Sequence, residues 1–278
     1  MRGAGIKHES SNIGPWRTGG MMLLEMLLAM LIGIVVITSV LVLYVNAQES
    51  AAYLNSASRV QESGRFATDH LARTMRMAGY DDPITTQTAS VTPSLEGTTS
   101  ADVNISMVGF VLKPGTDVVQ ISHEGAPQVR DCQGVAVAAD VWVTNTYAIS
   151  NNDELICATQ RTATTMVEVC TAFGVCSLQP VTTTSESNPT IIAEGVEGMN
   201  VLYGIDSDTD GVANRYVPQA DVTDWLAVVS AKATLLVNSV ENVFAETLHG
   251  CKSCDTFNPT ASNMLRGEFQ TTVRFRNL

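Results

Sequence analysis

Positive charge is scarce in this chain. Sixteen Lys and Arg stand against 28 Asp and Glu, a net charge of −12 over 278 residues. Phosphate backbones are gripped by clustered Lys and Arg, so direct nucleic-acid binding is excluded as the function. The acid serves instead to keep an exported domain soluble. Catalytic signatures are missing too: the sequence holds no nucleophile elbow, P-loop, dinucleotide fingerprint or His-Glu-x-x-His. The four histidines, His8, His70, His123 and His249, are scattered. Asp69 adjoins His70, but sequence neighbours on a helix do not face each other, so the pair reads as surface. No enzyme is expected. Proline is absent from Met21 to Tyr80, which removes the main obstacle to a long helix there.

Cysteine is missing from the first 131 residues; Cys132, Cys157, Cys170, Cys176, Cys251 and Cys254 all follow. An even number in an exported domain suggests disulfides, although six cysteines allow many connectivities. Closing the shortest loops pairs Cys170–Cys176 and Cys251–Cys254 and leaves Cys132–Cys157. The rival is a four-thiolate zinc site built from Cys170, Cys176, Cys251 and Cys254. Only the last two have the tight spacing that such sites use twice.

What the sequence does hold is one long apolar run. Residues 21–45 read MMLLEMLLAMLIGIVVITSVLVLYV, and Glu25 is their one charge. As a helix this run spans about 37 Å, more than the roughly 30 Å hydrocarbon core of a bilayer. Arg2, Lys7 and Arg17 precede it, which keeps the leader cytoplasmic and sends the rest outward. A secretory signal explains it poorly, because such apolar regions run only about 7–15 residues. A plain anchor explains the length but not Glu25. A carboxylate inside a spanning helix costs about 2.5–3.5 kcal/mol, and a buried charge wants an opposite one.

From Asn46 to Ala78 good helix formers continue. Leu54, Ala57, Val60, Ala67, Leu71, Met75 and Ala78 recur at three and four and make an apolar stripe. Gly64 is a weak point, and Gly79 a C-cap with Pro83 soon after. One helix is expected from about Met21 to Ala78; the alternative is two helices broken near Asn46. Residues 81–104 and 181–190 read as polar loops. Extended runs are expected at Asn104–Val111, Asp117–His123, Val135–Tyr147, Glu154–Gln160 and Thr165–Val169. Three later segments alternate with period two, Val196–Ile205, Val229–Asn238 and Phe269–Phe275, as half-buried antiparallel strands do. The division is therefore residues 1–20, a leader; 21–45, a transmembrane half-helix; 46–80, an amphipathic half; and 81–278, a β-rich domain.

The stretch Thr18-Gly19-Gly20-Met21-Met22-Leu23-Leu24-Glu25 resembles the type IV prepilin cleavage motif. The resemblance implies that a prepilin peptidase cuts between Gly20 and Met21. It implies that Met21 is then N-methylated, and that Glu25 pairs with the N-terminal amine of a neighbouring subunit. Met21 stands where phenylalanine is usual, Met22 where threonine is common, and the leader is longer than many. Further on, Gly64-Arg65-Phe66-Ala67, Arg76-Met77-Ala78-Gly79-Tyr80 and the ending Thr271-Thr272-Val273-Arg274-Phe275-Arg276-Asn277 resemble PilW-type minor pilins. That family implies an α+β, type IV pilin-like fold: a long N-terminal α-helix, its first half membrane-spanning, packed on a mainly antiparallel β-sheet. It implies a minor pilin that helps initiate or cap a type IV pilus, in twitching motility, adhesion or DNA uptake. The partners implied are other minor pilins, the major pilin, the prepilin peptidase and inner-membrane lipid. The implied location is a single-pass inner-membrane protein with a periplasmic domain, later incorporated near the pilus tip. The alternatives are a pseudopilin at the tip of a type II secretion pseudopilus, resembling its J-type component, or a membrane-anchored calcium-binding or adhesive module.

One cluster invites a cation. Asp206-Ser207-Asp208-Thr209-Asp210-Gly211 opens like a calcium loop, with alternating oxygens and a glycine turn. Val217 stands where the closing glutamate belongs. Asn214 is a further candidate ligand, and Asp221 or Asp224 are candidates to complete the shell. The competing reading is a strand-to-loop turn that uses Asp and Gly for backbone reasons.

Overall fold

The computed structural model describes residues 21–80, 95–99, 110–170, 176–242, 257 and 264–275. The expected leader, most of the run from Asn104, and the Cys251–Cys254 pair lie outside the described residues. The chain forms two compact units, residues 1–51 and 52–278.

Helix α1 runs from Met21 to Met75, 55 residues without a break at Asn46, which is about 82 Å of helix. Within the first unit the large apolar side chains from Leu23 to Val45 are all exposed. The hydroxyls among them are satisfied locally: Thr38 Oγ1 donates to the Ile34 carbonyl at 2.9 Å and Ser39 Oγ to Val35 at 2.7 Å. A hydrocarbon environment requires this, since no water is there to accept.

In the second unit the same helix changes character. Val60, Ala67, Leu71, Ala72 and Met75 are buried, a stripe at helical spacing that joins the core of the domain. Leu54, expected to head that stripe, is exposed. Gly64 has a packing role rather than being a mere weak point, because a Cβ there would overlap the ring of Phe269. The helix ends at Met75, three residues earlier than expected. Residues 76–79 form a turn that closes on Gly79 at φ 69°, and the Gly79 N–H bonds the Ser122 carbonyl at 3.0 Å. Glycine is the residue that takes this left-handed position without steric cost.

All strands pair antiparallel, in two sheets. The first orders β1 (Leu95–Thr99), β2 (Asp117–Glu124), β3 (Val141–Ile149), β4 (Glu154–Cys170) and β5 (Cys176–Glu186), with β6 (Thr190–Glu194) also on β4. The second orders β10 (Arg266–Arg274), β9 (Val228–Asn238), β7 (Val196–Ile205) and β8 (Arg215–Val217). Ile121, Tyr147 and Leu155 of the first sheet, Met199, Tyr203 and Leu235 of the second, and Leu71 and Met75 of α1 share one core. The opposite face of the first sheet has a smaller core of Val118, Ala148, Ile156 and Ala158, covered by Phe110 and Leu112. The fold is thus α+β, with two antiparallel sheets where the sequence reading had one.

Four local expectations need correction. Residues 95–99 are a strand, not part of a loop, and β3 starts at Val141 rather than near Val135. The two short extended runs at 154–160 and 165–169 are one 17-residue strand. Residues 181–190, read as a polar loop, are mostly β5 and the start of β6. Their Thr-rich composition is polar because β5 is exposed along its whole length, and Thr is β-branched and fits an extended ladder.

Cys132 and Cys157 are joined by a disulfide with Cα atoms 6.4 Å apart. Cys176 is also disulfide-bonded, so it offers no thiolate to a zinc site; across the ladder it stands opposite Cys170. Beside the first bridge lies a buried polar chain. Asn145 Oδ1 accepts from the Cys132 N–H at 3.1 Å and from Thr159 Oγ1 at 3.0 Å. Its Nδ2 must therefore donate, and it does so to His123 Nε2 at 3.1 Å. His123 Nδ1 in turn donates to the Glu124 carbonyl at 3.1 Å. The network fixes His123 as the neutral Nδ1–H tautomer. Burial lowers its pKa, against a rise from the Glu124 bond and from Asp131.

Candidate functional site

Two places carry the residues singled out in the sequence. The first is the start of α1. Gly20 lies outside the described residues; Met21, the first described residue, is helical. Glu25 is exposed one turn in. No Lys or Arg occurs between Met21 and Ser58, and the next acid is Glu49. An i±3 or i±4 partner is therefore absent from this helix, and the carboxylate stands alone among Leu24, Met26, Leu28 and Ala29.

The second is the hairpin loop between β7 and β8. The strands close it through Ile205 and Arg215, which pair across the ladder. The carboxylate oxygens of Asp206, Asp208 and Asp210 lie within 4.8 Å of one another. Asp206 is the hub. Its Oδ1 accepts from the Thr209 N–H at 2.7 Å and the Asp208 N–H at 3.2 Å, and its Oδ2 accepts from the Gly211 N–H at 2.7 Å. Thr209 at φ 62° and Gly211 at φ 79° give the backbone curl that aims these donors inward. Desolvation pushes the Asp206 carboxyl up, but the bonds from Gly211, Thr209 and Asp208 outweigh it and hold it below the usual carboxylate range. Asp210 caps the Val212 N–H at 2.7 Å.

Asn214 does not turn an oxygen to the cluster. Its Oδ1 accepts from the Ser207 N–H and hydroxyl at 2.6 and 2.9 Å, and its Nδ2 donates to Asp208 at 3.3 Å. It clasps the loop. Asp224 caps the turn Trp225–Ala227 through the Leu226 N–H, and Asp221 lies in the turn Gln219–Asp221; neither joins the three clustered acids. The carboxylates of Asp206, Asp208 and Asp210 suit a hard oxygen-seeking cation such as calcium, while the hub bonds give the loop a shape of its own.

Two features escaped the sequence reading. His70 is half-buried rather than a surface residue: its Nε2 is buried without a hydrogen-bond partner among the described residues, and its ring meets Tyr147 edge-on at 5.8 Å. Its pKa is lowered by burial. The length of the β4–β5 ribbon was also missed, and the β-branched pattern of Thr162–Val169 and Val181–Thr184 was the available signal.

Residues 146–277 match the family described as type IV pilus-assembly protein W. A type IV-like pilin from Thermus thermophilus aligns at 15% identity with a TM-score of 0.38, over 79% of this chain and 98% of that one. No curated protein matches the chain at a significant level. The matched segment takes in β4 to β10, with the acidic loop and the C-terminal strand. Over those 132 residues, just under half of the chain, the protein is similar to the type IV pilus-assembly protein W family.

Proposed function

We propose that the chain is a minor pilin that helps initiate or cap a type IV pilus. Prepilin peptidase cuts it between Gly20 and Met21, and the new amine at Met21 is N-methylated. Before assembly the residues from Met21 to Val45 span the inner membrane and the domain is periplasmic; afterwards the subunit sits near the tip, among other minor pilins and the major pilin. One observation carries this reading: an unbroken helix over Met21–Met75 that holds Glu25 as its one charge before Glu49 and continues into the PilW-like domain. A lone carboxylate in hydrocarbon is costly. A neighbouring subunit's N-terminal amine supplies the charge that this helix lacks.

N-terminal mass spectrometry of the mature protein tests the proposal. A methylated Met21 is the expected product. A chain beginning at Gln48, or one retaining Met1, overturns it.

A second reading concerns the acidic loop and is favoured by the convergence of Asp206, Asp208 and Asp210. Calcium held there would relieve their mutual repulsion and stiffen the β7–β8 hairpin. Titration calorimetry of the full chain with calcium, against Asp208→Asn, checks it: heat that vanishes in the variant supports a site, and no heat in either sinks it.

A further inference from the structure

Among the described residues, the first sheet ends in a ribbon that joins neither core. β4 pairs with β3 only as far as Ala163, whereas its pairing with β5 continues to Cys170 opposite Cys176. The seven residue pairs from Thr164–Thr182 to Cys170–Cys176 thus form a two-stranded ladder about 23 Å long. Two strands without a covering layer are marginal in water; Cys176, at the end of this ladder, is disulfide-bonded.

The ribbon's surface differs from the rest of the chain. Between Arg161 and Glu186 the sequence has a single charged residue, Glu168, in a protein with net charge −12. Opposed residues share a face, so Met166 with Pro180 and Glu168 with Leu178 lie together on one side. Met166 is 66% exposed and Leu178 is 65% exposed. Pro180 decides between the ribbon's edge and its face. A ladder tolerates proline only where the missing N–H points away from the paired strand. The free edge of β5 therefore lacks a donor near its middle, and strand addition along it is disfavoured. The face has no such defect.

We propose that this face is a docking arm for a neighbouring subunit of the same filament, a different chain that presents an apolar patch with a Lys or Arg opposite Glu168. Charge selects against a second copy. Packing two identical faces about a two-fold axis brings their Glu168 carboxylates together, and like charges at an interface are disfavoured. Area selects against a stable soluble dimer. A ribbon face of this length and about 10 Å width offers on the order of 250 Å², well short of the roughly 800 Å² per partner of a standard interface. Such a contact holds only where other contacts already keep the subunits together, as in an anchored filament. The inference rests on the minor-pilin reading above.

The test compares full-length wild type, Glu25→Ala and Met166→Asp/Leu178→Asp in cells, scoring membrane-fraction level, N-terminal processing and content in sheared filaments. The expected result for the arm variant is normal level and processing with at least a tenfold loss from filaments. Incorporation equal to wild type overturns the arm while leaving the minor-pilin reading intact if Glu25→Ala is excluded. Wild type absent from filaments overturns both. Should the aspartates lower the membrane level, Met166→Thr/Leu178→Thr keeps strand propensity and is read the same way. A photo-crosslinker at position 166 identifies the neighbour: a cross-link to another filament subunit supports the arm, and cross-links confined to a second copy overturn it.

Discussion

Residues 21–51 and 52–75 are one helix by backbone and two by surface. The first stretch exposes apolar side chains all round and carries a carboxylate with no partner on its own helix. The second hides Leu71 and Met75 completely and turns Arg59, Arg65 and Arg73 outward. The chemistry of the second half is settled inside the molecule, with its apolar stripe met by two sheets. That of the first is not, and whatever surrounds it must supply both the apolar contact and the charge. The same sequence property, an apolar helix, therefore means a core in one region and an interface in the other.

The strongest way to break this comparison is at Glu25. If its charge is met by a neighbouring subunit, Glu25→Ala leaves the thermal midpoint of the detergent-solubilised chain unchanged and removes it from filaments. Breaking a buried ion pair costs about 3–5 kcal/mol, so incorporation should fall at least a hundredfold. Equal incorporation of variant and wild type means that the first half is only an anchor.

Leu71→Ala asks the converse question. Its side chain has no exposure, and truncating a buried leucine costs about 2–5 kcal/mol. The expected outcome is a loss of that size in denaturant unfolding of the full chain, with the N-terminus found by mass spectrometry the same as in wild type. Gly64→Val is a smaller probe of the same half. The added Cβ meets the Phe269 ring, and overpacking of this kind costs about 1–3 kcal/mol. An unchanged unfolding midpoint would show that β10 does not press on α1 at this point.

The helix was legible because its signals were long: no proline for 60 residues, one charge in the first half, and a three-and-four stripe in the second. Strands β7, β9 and β10 were legible because apolar and polar residues alternate in their sequences, even though β7 and β9 are buried along most of both faces. β4 and β5 were harder. The start of β4 is buried on both faces, with Leu155 in one core and Ile156 in the other, and its far half is exposed on both, so neither half alternates. Thr-rich β5 looked like a loop because its composition reports solvent exposure and not backbone irregularity. At the site, the sequence brought Asp206, Asp208 and Asp210 together, but it could not reveal that Asn214 turns its oxygen to Ser207. A side-chain rotamer is a tertiary fact.

The smallest effect expected concerns a polar group that, unlike Glu25, is satisfied internally. His123 accepts from Asn145 at Nε2 and donates at Nδ1, so a second proton would set two donors against each other across 3.1 Å. Burial, only partly opposed by the Glu124 carbonyl and by Asp131, lowers its pKa in the fold. Asp131 is itself paired with Arg161, which limits its pull. The unfolded chain then binds the proton more readily than the folded one. Stability from this group is complete above the unfolded histidine pKa of about 6.5 and is lost as pH falls from there toward the lower folded value. His70, also lowered by burial, adds a slope of the same sign. Asp117, whose carboxyl burial pushes up, opposes them only in the carboxylate range. Denaturant midpoints of the full chain measured from pH 7.5 to 5.5 should therefore decline toward acid, and His123→Gln should flatten the decline without abolishing it. A decline of identical steepness in the variant would mean that Asn145 does not hold His123 in its neutral form, and that this polar chain, like the first half of the helix, answers to its surroundings.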